Sequence, residues 1–150
     1  MSLRDEIDER MAPLFRRAIG MHAAIYRASG GHLGHRFFPG TPPTLLLHHV
    51  GARTGTERFT PLTYFRDGDD LVVVASRGGH PRNPGWFHNL RAHPDTEVWV
   101  GSERRRVHAR VAEPAERERL WPRAVETYSG YRDYQRRTGR EIPLVILEPC

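Results

Sequence analysis

Lysine is absent from this 150-residue chain, so all 23 basic residues are arginine. Cysteine is nearly absent as well: Cys150 is the single one, which excludes an intrachain disulfide. No apolar run reaches the roughly 18 residues of a membrane span, and no secretory leader is recognisable. These absences are compatible with a reducing compartment, and we expect a cytoplasmic protein.

The common catalytic signatures are missing too. The chain has no Gly-x-Ser-x-Gly, no P-loop, no Gly-x-Gly-x-x-Gly and no paired carboxylates on a polar background. Among the nine histidines, the tight pairs His32/His35 and His48/His49 have no cysteine or acidic partner at ligand spacing, so no metal site is predicted. His48 and His49 are adjacent in a predicted strand, so we expect them to face opposite sides. An enzyme built on this chain would therefore take its chemistry from an organic cofactor.

The net charge of +5 favours an anionic partner, and every cation is a planar fork suited to carboxylate or phosphate. Four arginines stand at predicted turns beside glycines, where a ligand can approach the backbone closely. They are Arg53, Arg58, Arg77 and Arg82. A nucleic-acid-binding module is disfavoured, because these arginines are not interleaved with aromatic residues along a strand.

Short apolar stretches bounded by turn residues predict six strands. We place them at residues 44–50, 58–65, 71–76, 97–100, 105–111 and 142–148. Short helices are predicted at 84–92, from Pro114 onward, and around Tyr131 and Tyr134. Six short strands with intervening helices predict a mainly β (α+β) fold built on a small barrel rather than a parallel sheet.

An amphipathic helix is predicted before the barrel, ending near Ala28 ahead of a Ser-Gly-Gly stop. Its apolar stripe comprises Leu3, Ile7, Met11, Leu14, Phe15 and Ala18. The stripe packs against its own domain or lies on a membrane or partner surface, and the sequence leaves this open. We expect a helix and linker at 1–43 and a ligand-binding barrel at 44–150.

Tyr128, Tyr131 and Tyr134 recur at steps of three, so on a helix they share one side. Packing explains such a pattern in many helices. The alternative is a pocket lined with phenols, in which a hydroxyl can donate a hydrogen bond or a proton to a substrate.

Three segments together resemble the deazaflavin-dependent nitroreductase family, actinobacterial proteins that use coenzyme F420. They read GARTGTERFTPLTYFRDGDDLVVVAS, SRGGHPRNPGWFHNLRAHPD and LWPRAVETYSGYRDYQRRTGREIP. The resemblance covers roughly residues 44–149. It implies a six-stranded split β-barrel, shared with flavin-binding oxidases, and hydride transfer at C5 of the deazaflavin.

The resemblance also implies a set of site residues. Those that would bind the cofactor are Arg53, Thr54, Arg58, Phe59, Thr60, Pro61, Leu62, Thr63, Val74, Ala75, Ser76, Arg77, Gly85, Trp86, Phe87, His88, Asn89 and Tyr131. Those near the reacting atoms would be Tyr131, Tyr134, Tyr128 and Ser76. The family often has lysine at Arg53, Arg77 and Arg82 and tyrosine at Thr63 and Phe87, so the ring contacts here differ in detail.

The implied function is an F420H2-dependent reductase that passes a hydride to a small electron acceptor, such as a quinone or a nitroaromatic compound. We expect F420 rather than FMN as the cofactor. The alternative is a non-catalytic barrel that binds F420, FMN, haem or a lipid-like ligand. A homodimer and a peripheral membrane contact through the N-terminal helix are both left open.

Overall fold

Six antiparallel strands close into a barrel in the computed structural model, which describes residues 3–36 and 40–150, with side chains from residue 11 onward. The strands are β1 (Thr44–Val50), β2 (Glu57–Asp67), β3 (Asp70–Val74), β4 (Asp95–Val100), β5 (Glu103–Val111) and β6 (Leu144–Pro149). The helices are α1 (Leu3–Ala28), α2 (Gly85–Ala92), α3 (Pro114–Thr127) and α4 (Gly130–Arg137). The strand order is β1-β2-β3-β6-β5-β4, closed by pairing of β4 with β1, and this confirms the predicted barrel.

Side-chain alternation lets single strands serve two cores. In β1, Leu45 and Leu47 face a cluster inside the barrel, whereas Leu46 faces outward to Tyr26 of α1. Successive residues of a strand point to opposite faces, which accounts for this division. On another side, helices α3 and α4 pack over the outer surface of β3 and β6. Side chains therefore fill the inside of the barrel, and helices cover parts of its outer surface.

The predicted strand bounds agree with the structure to within two residues at every end. The difference that matters is at β3, which was predicted to reach Ser76 but ends at Val74. The carbonyls of Ala75 and Ser76 accept hydrogen bonds from the Arg140 side chain instead of continuing the strand ladder. The chain can therefore turn away from the sheet at this point.

Helix α1 is anchored by its last turns. Tyr26 is fully buried, and its hydroxyl lies 3.1 Å from the Thr44 carbonyl and 3.0 Å from the Trp99 carbonyl. The same oxygen accepts the Gly101 amide at 2.8 Å. One hydroxyl thus joins the helix to the start of β1 and to the end of β4.

The predicted apolar stripe of α1 does not dock in this way. Met11, Leu14, Phe15 and Ala18 are exposed, so packing of this stripe against its own barrel is wrong for these four residues. The stripe follows one face of the helix, but the face that docks carries Ala23. The side chains of Leu3 and Ile7 lie outside the described residues. Across the described ranges, no helix has the length and apolar character to cross a membrane.

Candidate functional site

The turn between β1 and β2 presents Arg53 and Thr54 to solvent on a tightly closed backbone. The Gly51 amide donates to the Thr56 carbonyl at 2.8 Å, and the Gly55 amide donates to the Gly51 carbonyl at 2.9 Å. A Cβ at Gly51 would lie 2.5 Å from the Thr54 hydroxyl oxygen, and Gly55 has a φ of +70°. Both positions therefore favour glycine, and the turn has little freedom.

A hydrogen-bonded chain around the buried His49, which we call the histidine link, ties this turn to α2. His49 Nε2 lies 2.8 Å from the Thr60 hydroxyl, and Asn89 Nδ2 lies 3.0 Å from His49 Nδ1. Asn89 Oδ1 accepts the Ala52 amide at 2.9 Å. Burial lowers the pKa of His49 to about 4, helped by the charge of Arg58. The neutral ring therefore accepts from Asn89 at Nδ1 and donates to Thr60 at Nε2.

The segment after β3 forms a second compact turn at the same site. A single 3-10 turn, Arg77–Gly79, follows Ser76, and its three residues have φ angles of +44°, +61° and +81°. The Gly79 amide donates to the Ser76 carbonyl at 2.9 Å. A Cβ at Gly79 would lie 2.7 Å from the Tyr134 carbonyl oxygen, so glycine allows the turn to pack directly on α4.

The predicted cationic set is brought to these turns without carboxylate partners. Within the described ranges, no ion pair involves Arg53, Arg58, Arg77 or Arg82, and all four are exposed. Other arginines are neutralised by carboxylates, namely Arg105, Arg110, Arg117, Arg119 and Arg123. The unpaired charge around the two turns favours an anionic ligand.

The three predicted tyrosines form one cluster around α4. The Tyr131 ring lies 5.0 Å from the Tyr128 ring and 6.3 Å from the Tyr134 ring, centroid to centroid. The hydroxyls of Tyr128 and Tyr134 are 3.2 Å apart, and Tyr131 hydrogen-bonds Thr63 of β2. Burial raises the pKa of Tyr131 and raises that of Tyr134 to about 12. The hydroxyls of Tyr131 and Tyr134 therefore stay protonated at neutral pH and well above it.

The predicted residues of β2 divide between the two faces of the strand. Thr60 and Leu62 point into the barrel, where Leu62 contacts the inner cluster. Phe59 packs on the outer cluster beneath α1, and Thr63 meets the tyrosines. A ligand on one face reaches the side chains of alternate residues and only the backbone of the others. The binding role of the run from Phe59 to Thr63 stays a prediction.

Helix α2 closes one end of the barrel with part of its predicted binding segment. Trp86 and Phe87 are 7% and 4% exposed and belong to the inner cluster. Gly85 and His88 are exposed, and Asn89 belongs to the histidine link. The two aromatic residues thus belong to the core, while the other three face solvent or the turn between β1 and β2, which we call the basic turn because it carries Arg53.

Strand register sets the distance between the two halves of the site. Val50 pairs with Glu57, so the basic turn lies beside the start of β2. Val73 pairs with Tyr64, so the end of β3 lies beside Thr63. The five residue steps from Arg58 to Thr63 span roughly 17 Å of strand. A long ligand along β2 could therefore have an anionic end at Arg53 and Arg58 and a ring beside Arg77 and the tyrosines.

A groove of about 600 Å³ lies elsewhere, on the surface shared by β1, β2 and β4. Phe59 is the one predicted cofactor residue among its described lining residues, and His48 pairs with Glu57 there at 2.7 Å. The groove carries charges of both signs, unlike the two basic turns. His48 and His49 thus point to opposite sides of β1, as predicted. Within residues 3–36 and 40–150, no three His, Cys, Asp or Glu side chains are grouped to hold a metal ion.

The closed barrel and its helices define the class of protein. A solved F420-H2 dependent reductase, FDR-A, has a TM-score of 0.65 and 38% identity, over 71% of this chain and 94% of that chain. A solved chain described as a domain-swapped dimer has a TM-score of 0.67 and 31% identity, over 98% of this chain and 100% of that chain. The fold is therefore the split barrel of F420-dependent reductases, as the sequence resemblance implied.

The family follows from the sequence matches. A family profile described as F420H(2)-dependent quinone reductase matches residues 18–149. The F420H(2)-dependent quinone reductase Rv1261c of Mycobacterium tuberculosis (strain ATCC 25618 / H37Rv) is 51% identical over 130 residues, 85% of this chain and 87% of the relative. The chain belongs to the F420H(2)-dependent quinone reductase family. It is an oxidoreductase, and its cofactor is coenzyme F420, which confirms the choice of F420 over FMN.

The residues present fit this cofactor. F420 has a long anionic tail, and two rigid turns here offer guanidinium groups that no described carboxylate neutralises. The exposed hydroxyl of Thr54 lies beside one of these guanidinium groups in sequence. The tyrosine cluster supplies protonated hydroxyls at the other end of the same strand.

Sequence reasoning missed two residues that shape the site. His49 could have been found, because alternation in β1 turns one of two adjacent histidines inward, where it needs a partner. Arg140 is one of 23 arginines and lies outside the predicted set; its spacing gives no signal. Its role becomes visible from its four side-chain hydrogen-bond acceptors.

Proposed function

We propose that this protein reduces a quinone with a hydride from F420H2 in the region along β2, between the basic turn at Arg53 and the tyrosine cluster. The observation that carries the proposal is the set of unpaired cations on two rigid turns, at either end of one stretch of β2. When bound, F420H2 supplies the hydride from its deazaflavin ring. The protein contributes binding, orientation and a proton donor.

The tyrosine cluster is suited to the proton side of the reaction. Reduction of a quinone to a hydroquinone takes up one hydride, which brings both electrons and leaves a hydroquinone monoanion, and one proton, which neutralises the remaining charged oxygen. Tyrosine is protonated at neutral pH, and burial raises the pKa of Tyr131 and Tyr134 further, so their hydroxyls can hydrogen-bond a quinone oxygen as negative charge develops on it. Tyr128 is 39% exposed and lies 3.2 Å from Tyr134, hydroxyl to hydroxyl, so it can exchange a proton with water.

The test is a Tyr131→Phe variant, which keeps the ring and removes only the hydroxyl. We expect single-turnover oxidation of F420H2 by a soluble naphthoquinone to slow by about 100-fold, the lower end of general acid catalysis. The dissociation constant for F420 should stay within about twofold, because the ring that packs beside Tyr128 is retained.

Tyr64→Phe is the matched control, since its hydroxyl contacts His35 and not the cluster. It should leave both the rate and the affinity near their original values. A Tyr131→Phe protein that reacts at the original rate would contradict a role for this hydroxyl. A protein that binds F420 but never oxidises F420H2 with any quinone would contradict the proposed reaction.

We also propose that the protein forms a homodimer through the exposed apolar face of α1. Leu14, Phe15 and Met21 are 58%, 64% and 65% exposed, which is a large apolar surface for a lone helix. The solved chain described as a domain-swapped dimer matches nearly the whole of this chain, α1 included. This neighbour supports a second copy as the occupant rather than a lipid surface.

Sedimentation velocity of the original protein and of a Leu14→Glu/Phe15→Glu variant tests the dimer. We expect a dimer that dissociates in the double variant. A monomer that co-sediments with phosphatidylglycerol vesicles through the same two residues would instead support a peripheral membrane contact. A monomer that binds neither would leave α1 without either role and contradict both.

A further inference from the structure

The loop between β3 and α2 holds a conformation that needs outside support. Its 3-10 turn contains Arg77 at a φ of +44°, followed by two glycines that are also left-handed. A residue with a Cβ is strained in this region, and such strain persists only where the surroundings fix it. The turn itself supplies two short-range bonds, from the Gly79 amide to Ser76 and from the His80 amide to Arg77.

Arg140 supplies most of the outside support, and Arg137 of α4 adds one bond, from Nη1 to the Gly78 carbonyl at 3.3 Å. Arg140 Nε donates to the His80 carbonyl at 2.9 Å, and Nη1 donates to Asn83 Oδ1 at 2.8 Å. Its Nη2 donates to the carbonyls of Ala75 at 3.2 Å and Ser76 at 2.9 Å. The planar guanidinium group thus hydrogen-bonds the loop both before and after the strained turn. A lysine ammonium has three N–H groups and no fixed plane, and cannot reproduce this pattern.

Arg140 is itself fixed to the tyrosine helix. Gln135 of α4 donates from Nε2 to the Arg140 carbonyl at 2.8 Å, and its Oε1 accepts the Ile142 amide at 2.9 Å. The turn reaches the same helix directly, because Gly79 packs on the Tyr134 backbone. The loop that carries Arg77 and the helix that carries the tyrosines are therefore joined through Arg140, through Gly79 and through the bond from Arg137 to the Gly78 carbonyl.

The charge of Arg140 is not neutralised by these contacts. All four side-chain acceptors are amide oxygens, and no carboxylate of the described residues pairs with it. Arg110, by contrast, is held by Glu116 and Glu148. Arg77 lies close enough to lower the pKa of Arg140, in addition to the larger effect of burial. The fork thus adds positive charge next to the turn as well as rigidity.

We propose that Arg140 is a positioning residue for F420, which holds Ser76 and Arg77 in register with the tyrosine helix and keeps an uncompensated charge behind them. The inference rests on the proposed function, because it takes the turn after β3 to be part of the cofactor site. It concerns a residue that acts through the loop and has no contact with the reacting atoms.

The first measurement uses the protein without cofactor. Hydrogen exchange at the Gly79 and His80 amides reports directly on the turn, since both amides are bonded within it. In Arg140→Lys we expect these amides to exchange at least about tenfold faster, because the fork that holds the neighbouring carbonyls is lost. Arg136→Gln is the matched control, because Arg136 is an exposed arginine of α4 four residues before Arg140, and in this variant the same two amides should exchange at the original rate.

The second measurement is F420 affinity with steady-state kinetics. Arg140→Lys keeps the charge, so any loss reports positioning; we expect the dissociation constant of F420 to rise about tenfold or more, since small displacements of binding groups are costly. Arg140→Gln should bind more weakly still. Asn83→Ala removes one acceptor of the fork, should act in the same direction with a smaller effect, and serves if Arg140→Gln fails to fold.

The outcomes are separable. If Arg140→Lys keeps the original exchange rates and F420 affinity while Arg140→Gln binds F420 more weakly, Arg140 contributes only its charge. That result would overturn its positioning role. Faster exchange with unchanged affinity in every folded variant would make the fork purely structural, which also overturns it. An Arg77→Gln variant decides the rest. If Arg77→Gln binds F420 with the original affinity, the placement of the site is contradicted. If Arg77→Gln binds F420 more weakly but Arg140→Lys is unaffected, only the inference about Arg140 is contradicted.

Discussion

The attachment of α1 to the barrel depends on one hydroxyl, and Tyr26→Phe tests that dependence. The substitution keeps the buried ring and removes the oxygen that accepts the Gly101 amide and lies within bonding distance of the Thr44 and Trp99 carbonyls. Leaving a buried donor unsatisfied costs about 1–3 kcal/mol, so we expect a loss of about 2 kcal/mol in the free energy of unfolding. For a chain of this size that is a drop of about 4–8 °C in Tm.

Urea unfolding followed by tryptophan fluorescence measures this loss, with Tyr64→Phe as the control. Tyr64 is also buried, at 4% exposure, but among the described residues its hydroxyl has one partner, His35, at 2.9 Å. We expect about 0.5–1.5 kcal/mol for that variant, the net value of one hydrogen bond. Equal losses in the two variants, or a loss below about 0.5 kcal/mol in Tyr26→Phe, would refute the bridging role of the Tyr26 oxygen.

The pH dependence of stability gives a second check on the same residue. Burial raises the pKa of Tyr26 to about 12 from its usual 10. A raised pKa in the folded state means that its contribution to stability is complete below pH 10 and is lost as the pH rises toward 12. The original protein should therefore lose more stability than Tyr26→Phe between pH 9.5 and about 11.5, provided both remain folded at the start.

Two further perturbations concern the site. Because burial lowers the pKa of His49 to about 4, its contribution to stability is complete above pH 6.5 and is lost as the pH falls toward 4, so the original protein should lose more stability than His49→Gln between about pH 7 and 4.5 in urea titrations. Equal losses would contradict a neutral, buried imidazole. Gly79→Ala should destabilise the protein by over about 1 kcal/mol and weaken F420 binding, since the added Cβ would lie 2.7 Å from the Tyr134 carbonyl oxygen. Gly78→Ala, with φ of +61° and nothing within 4 Å of the added Cβ, isolates the backbone strain, and an equal effect there would remove the contact argument.

The barrel could be predicted from local patterns because its strands are short, apolar and separated by turn residues. Alternation correctly placed His48 and His49 on opposite faces of β1. The same reasoning failed for α1, where the apolar stripe of Leu14 and Phe15 was one candidate for the docking face. Docking is decided by Tyr26, whose hydroxyl finds partners more than 70 residues away at Trp99 and Gly101. A contact of that range leaves no local signature. The predicted division at residue 43 stays a prediction, although Tyr26 crosses it.

Part of the site could also be predicted from local sequence patterns. Glycine-flanked arginines mark turns that suit an anion, and the structure leaves Arg53 and Arg58 without carboxylate partners in its described ranges. Trp86 and Phe87 were expected to bind the cofactor; both belong to the inner cluster at the barrel end, and their contact with F420 stays a prediction. The sequence pattern of an aromatic residue in a short helix is the same whether the side chain packs in the core or contacts a cofactor. What the sequence could not show is how Arg140 fixes a loop that lies about 60 residues earlier in the chain.

The central claim is that F420 lies along β2 with its anionic tail at the basic turn. It is tested most directly by titrating F420 into the original protein, Arg58→Ala and Arg136→Ala, following the cofactor absorbance. Loss of a charge-assisted hydrogen bond costs about 1.5–3 kcal/mol, so the dissociation constant of Arg58→Ala should rise roughly 10- to 150-fold, less at high salt because the side chain is exposed. Arg136→Ala, with the same change in charge, should bind as the original protein does. An unchanged dissociation constant in Arg58→Ala, or an equal rise in both variants, would contradict the placement of the cofactor.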